Sequence, residues 1–213
     1  MNDLIEVLKS DEIKDISSEY LEILIDDSLH DDTLKSIPIV STVCSLYKLS
    51  KSLSDRSFIK KLIVYFYGIR DVPYSQKVKI LDKINRKDFD LEDFIVSVII
   101  RNENIDKTKL LSYIFKEYLF ENIDQDYFIR ITYIVEKLLW LDIEKMAQIN
   151  FDNIPEKELQ LRDVLISNGL LRIMDAGMVF TDGKPIPATV TPNEIGKEIK
   201  RIISGYYKLK SES

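Results

Sequence analysis

Cysteine and histidine are almost missing from this chain: its 213 residues include one of each, Cys44 and His30. A single cysteine excludes an internal disulfide and any multi-cysteine metal site, and a single histidine excludes paired-histidine metal motifs. Cys44 sits among Ile39, Val40, Val43 and Leu46, surroundings that predict a buried, inert thiol. His30 lies in "IDDSLHDD", four residues after Asp26, so a helix would put imidazole and carboxylate on one face. Further ligands would have to come from elsewhere, and the segment reads as a polar helix end.

Long hydrophobic runs are also lacking. No stretch approaches the roughly 18 to 20 apolar residues of a membrane span. The start, "MNDLIEVLKSDEIKD", has no basic region followed by a sustained apolar one. The expectation is a cytoplasmic protein with no integral membrane segment. Phosphate-cradling and nucleophile motifs are absent too: there is no G-x-x-x-x-G-K-[ST], no G-x-G-x-x-G and no G-x-S-x-G, and "TDGK" at 181–184 is a turn. The 36 Asp and Glu supply many carboxylate pairs, but no spacing singles one out. The sequence therefore predicts a non-enzymatic protein with no catalytic residue, cofactor or metal.

Glycine and proline, six of each, are scarce before residue 150, which leaves long segments free of breakers. From about residue 11 to 148 apolar residues recur at helical spacing. "SSEYLEILIDDSL" aligns Tyr20, Leu21, Leu24, Ile25 and Leu29 opposite its carboxylates. In "SIPIVSTVCSLYKLSKSLSDRSFIKKL", Pro38 suits a first helical turn, Val40, Val43, Cys44 and Tyr47 form one face, and Ile39, Val43, Cys44 and Tyr47 are expected in the core. Ser54 or Asp55 is the expected cap of the next helix, with Phe58, Leu62 and Phe66 inward and Arg56, Lys60 and Lys61 outward. Further helices are predicted over 75–85, 91–102, 107–122 and 125–149, with Asp90, Asp106 and Asp124 as N-caps of the last three.

After "NFDNIP" the pattern changes. A helix opening at Pro155 and closing at Gly169 precedes short apolar pieces around "DG", and a last helix starts with Thr191 as N-cap and buries Ile195, Ile199, Ile202 and Ile203. The predicted fold is mainly α, a multi-helix bundle over residues 1–152 with a small winged-helix-like α+β element over 153–213.

Charge is segregated within a net of −6: residues 1–32 carry −9 and residues 184–213 carry +3. Lys197, Lys200 and Arg201 share one face of the last helix, with Lys208 and Lys210 behind them, a pattern suited to phosphate contacts. Lys77, Lys79, Lys83, Arg86 and Lys87 form a second basic group. Among eleven tyrosines, the adjacent aromatics Tyr65 to Tyr67 and the pair Tyr206, Tyr207 cannot all face one core, which marks Tyr65, Tyr67, Tyr206 and Tyr207 as interface candidates.

The segment "IPIVSTVCSLYKLSKSLSDRSFIKKL" resembles a signature of uncharacterised bacterial helical proteins, with an "IPIV-x-T" start, "LYK" and "DR-x-F-x-KK"; Ser41 stands where such chains carry Gly. "DKTKLLSYIFKEYLFENIDQDYFIRITYIVEKLLWLDI" is similar to their second helical block, and "NGLL" at 168–171 to their terminal element. The arrangement is more distantly similar to the abortive-infection alpha family, which implies a bacterial antiphage or mobile-element setting. Three readings follow. The first is a protein-interaction module that binds a protein partner or self-associates. The second is a nucleic-acid binder working through the basic C-terminal element. The third is a helical protein that touches a membrane surface through the segment ahead of Lys60 and Lys61.

Overall fold

The structure is a computed structural model, and it describes residues 7–10, 13, 14, 16, 53–83, 89–102, 104–174, 180, 181, 184, 185 and 189–212. The expected core positions Ile39, Val43, Cys44 and Tyr47, and His30, lie outside the described residues. Those described are mostly helical, with short antiparallel strand pairs near the C-terminal end, a mainly α fold. The chain divides into two compact units, Met1–Phe128 and Ile129–Ser213.

In the first unit α1 (Leu53–Tyr67) packs on α3 (Leu91–Arg101) and α4 (Ile105–Leu119), and α2 (Tyr74–Lys83) packs on α4. Phe58, Leu62, Ile63 and Phe66 of α1 are buried as their helical spacing predicts, and Ile59, Val64 and Tyr65 are buried with them, so the second half of α1 is enclosed on more than one side. Lys61 departs from the sequence expectation. It is 6% exposed, and its ammonium donates to the Asn102 carbonyl at 2.7 Å at the end of α3. A flexible lysine stem can follow the apolar stripe and spend its charge on a helix's last carbonyls, where the dipole favours a cation.

The aromatic core has Phe128 at its centre. Tyr118 stacks on it at 4.9 Å, Phe94 meets it edge-on at 5.5 Å, and Phe115 links it to Tyr65. Helices α1 and α4 approach closely where α1 ends: a Cβ added to Gly68 would lie 2.1 Å from Ser112 Oγ, and the Ser112 hydroxyl donates to the Tyr65 carbonyl at 2.5 Å.

Asp90 caps α3 as expected, accepting from the Asp93 N–H at 3.0 Å, and Asp124 accepts from the Tyr127 N–H at 2.8 Å. Asp106 is instead the second residue of α4. The cap is Asn104, which takes the Asp106 and Lys107 N–H groups at 2.7 and 3.1 Å, because a short amide two residues earlier in the chain fits the same orphan donors. Likewise α1 begins at Leu53, so Ser54 and Asp55 fall inside the helix and not at its cap.

The predicted helix over 125–149 is two helices, α5 (Gln125–Lys137) and α6 (Trp140–Gln148). Neither proline nor glycine breaks it. Four consecutive apolar residues, 138–141, exceed what one stripe can bury, and the extended Leu139 (φ −68°, ψ 146°) lets Leu138 and Ile143 both reach the core.

In the second unit α6 packs on α8 (Glu194–Glu212), and α7 (Leu159–Ser167) packs on β1 (Leu171–Ile173). Strand β1 pairs antiparallel with β4 (Val190–Pro192), Leu171 opposite Pro192. Between them β2 (Phe180–Thr181) pairs with β3 (Lys184–Pro185). Gly169 ends α7 at φ +69°, with Leu170 N–H on Leu165 O and Gly169 N–H on Ile166 O, the paired bonds of a Schellman motif. The residue that caps α8 is Asn193 and not Thr191, which lies in β4. Its side-chain oxygen accepts from the Gly196 N–H at 2.8 Å while its amide donates to Gly169 O at 2.6 Å, so one side chain serves the ends of two helices. Because α6 packs on the last helix, the contact boundary falls at 128/129, whereas the sequence reading drew it near 152.

Candidate interaction surfaces

The basic face predicted for the last helix is largely engaged within its own unit. Lys197 pairs with Glu194 at 2.9 Å, and Arg201 places both Nε and Nη2 on Glu198 Oε1 at 2.9 and 2.6 Å, each pair three residues apart on α8. Glu194 is held below the usual carboxylate range by its hydrogen bond and charge attraction to Lys197.

Lys200 turns inward. It donates to the Met146 and Ala147 carbonyls at 2.5 and 3.0 Å, closing the end of α6, and its ammonium lies 5.7 Å from the Phe151 ring. Partial burial pushes the Lys200 pKa down. Lys200 has the spacing of the basic face, but its ammonium is taken up by the carbonyls that end α6. Lys208 and Lys210 are exposed, Lys210 with its ammonium 6.0 Å from the Tyr207 ring. In the second basic group Lys77 is buried and Lys79 pairs with Glu121; the side chains of Lys83, Arg86 and Lys87 lie outside those described.

Each tyrosine pair divides between core and rim. Tyr65 is buried against Phe115 at 5.7 Å, and burial raises its pKa well above the ordinary phenol value. Tyr206 is buried as well, edge-on to Tyr207. Neither presents a face to a partner: successive helix residues step about 100°, so Tyr67 and Tyr207 lie well around the helix from the buried Tyr65 and Tyr206. Tyr67 and Tyr207 are half-buried, Tyr67 under the Arg70 guanidinium at 3.4 Å and Tyr207 against Trp140 at 6.4 Å.

A surface that the sequence reading missed lies at the α5–α6 junction. Leu139 is 68% exposed and Leu141 59%, on either side of a half-buried Trp140 whose indole N–H donates to Glu144 at 2.9 Å. Leu139 occupies the N-cap of α6 and offers no side-chain cap, a place where Ser, Thr, Asp or Asn is favoured. The signal was the run "LLWL" itself: four apolar residues in a row cannot all lie on one stripe.

The first unit also has a cleft of about 430 Å³ lined by Ile80, Tyr118, Glu121, Ile123, Asp124, Gln125 and Asp126. Glu121 stands at φ +58° in the turn that closes α4, and Lys79 pairs with it. Asp124 also accepts from the Tyr127 N–H as the cap of α5. No group of metal-ligating side chains occurs among the described residues, and none of their helices is long and apolar enough to cross a membrane. No protein family, curated protein or solved structure matches the chain.

Proposed function

We propose that the chain is a non-enzymatic protein-interaction module. The observation that carries this reading is the pair of large apolar side chains, Leu139 and Leu141, left mostly in solvent around a half-buried tryptophan. Exposed leucines beside Trp and Tyr are the composition of an interface core, and burial against a partner removes the cost of keeping them in water. The resemblance of architecture to the abortive-infection alpha family supports a bacterial antiphage or mobile-element setting for such a module.

The order α7, β1, strand pair, β4 and α8 supports a winged-helix-like reading of the C-terminal element. In helix-turn-helix proteins the second helix of the motif enters the major groove. Here the approach to α7 and its outer face carry Glu156, Glu158 and Asp163 against Lys157 and Arg162, a sign that disfavours phosphate. With Lys200 engaged at α6 as well, protein recognition is the better-supported use of this element.

The test compares the parent with Leu139→Ser/Leu141→Ser in affinity capture from a bacterial extract, with quantitative mass spectrometry. Loss of a captured protein, or of the chain's own copies, in the double variant supports the reading. Capture that ignores both leucines overturns it, as does co-sedimentation with anionic vesicles that depends on them.

A further inference from the structure

We infer that the outer face of α5 joins two copies of this chain, antiparallel about a two-fold axis; the inference rests on the interaction-module reading and names its partner. Along α5 the exposed residues Asp126, Arg130, Tyr133 and Lys137 are spaced four, three and four apart, which at 3.6 residues per turn confines them to a stripe about 60° wide. The opposite side is buried through Phe128, Ile131, Thr132 and Val135.

The stripe is symmetric about its middle. When a second α5 runs antiparallel across it, Asp126 of each copy meets Lys137 of the other, and Arg130 meets Tyr133. The first contact is an ion pair made twice, and the second sets a guanidinium over a phenol ring. A parallel pairing would place like charges together, so the sequence of the stripe selects the orientation. Asp126 and Lys137 stand about 16 Å apart along the helix, three turns, long enough for a continuous seam. Leu139, just past the end of α5, then falls beside the start of the neighbouring helix, adding the apolar burial that two exposed ion pairs do not supply by themselves.

Sedimentation velocity over a concentration series tests this. The parent is expected to show a reversible monomer–dimer equilibrium. Lys137→Asp and Asp126→Lys should each raise the dimer Kd about tenfold or more. The double exchange, Asp126→Lys with Lys137→Asp, restores the opposite charges and should restore the dimer; far-UV circular dichroism confirms that each variant is folded. A parent that stays monomeric, a dimer indifferent to both single changes, or a double exchange that fails to restore association overturns the inference. A monomer that still captures another protein through Leu139 and Leu141 refutes the two-fold partner and leaves the module reading standing. Loss of both refutes both.

Discussion

Lys200 shows how one side chain can satisfy a sequence pattern and contradict its meaning. Its position beside Lys197 and Arg201 fits a phosphate-binding face, yet its ammonium holds the last carbonyls of α6. Lys200→Ala should cost about 1 to 2 kcal/mol in denaturant unfolding, the worth of charge-assisted bonds that solvent partly screens. Lys200→Glu should cost more, since it sets a carboxylate against carbonyls at the negative end of a helix dipole. Because its folded pKa is depressed, the unfolded chain holds the proton over a window just below the ordinary lysine value. Stability from this group therefore rises with pH through that window, and Lys200→Met should abolish the rise.

Tyr65 gives the reverse sign. Burial raises its pKa, so its contribution is complete below about pH 10 and falls as pH climbs past the unfolded value, where only the unfolded chain ionises. Tyr65→Phe keeps the stack on Phe115 and should flatten the alkaline loss seen by chemical denaturation between pH 9 and about 11. A variant that loses stability with pH as steeply as the parent would locate the alkaline transition elsewhere.

The elements are held by a few tight junctions as much as by their apolar stripes. At the α1–α4 contact a methyl on Gly68 would collide with Ser112 Oγ and, at 2.8 Å, with Ser112 Cβ, which cannot rotate away. Gly68→Ala should therefore destabilise by roughly 1 to 3 kcal/mol, read from the midpoint of thermal or urea unfolding. Asn193→Ala removes the cap of α8 and its bond to Gly169 O together, and should cost about 1 to 2 kcal/mol. Gly169→Ala, at a positive φ with open space around it, isolates the backbone term and should cost about 1 kcal/mol. Of the elements themselves, α3, α4, α7 and α8 are legible within a few residues, because breakers and capping side chains mark their ends. The break between α5 and α6 carries no such mark. It arises from which of 138–141 the core accepts, a competition that local propensity does not record.

At the scale of the whole molecule, helices dominate the described residues, and far-UV circular dichroism should show a helical spectrum; a predominantly strand spectrum would refute the fold. Helical periodicity, the scarcity of glycine and proline before residue 150, and the cluster of turns after it were enough to determine a mainly α chain with a small strand-containing end. Periodicity works here because a helix must turn apolar residues inward at its own period, and Phe58, Leu62 and Phe66 are buried as their spacing demands, although the core also encloses Ile59, Val64 and Tyr65. The destination of each charged side chain was decided only in the tertiary structure. Lys61 and Lys200 end on carbonyls of helices distant in sequence, Lys197 and Arg201 are answered by their own helix, and Leu139 and Leu141 are left in water. Long side chains choose partners by proximity in space, and a one-dimensional pattern fixes which face a residue occupies but not what stands opposite that face.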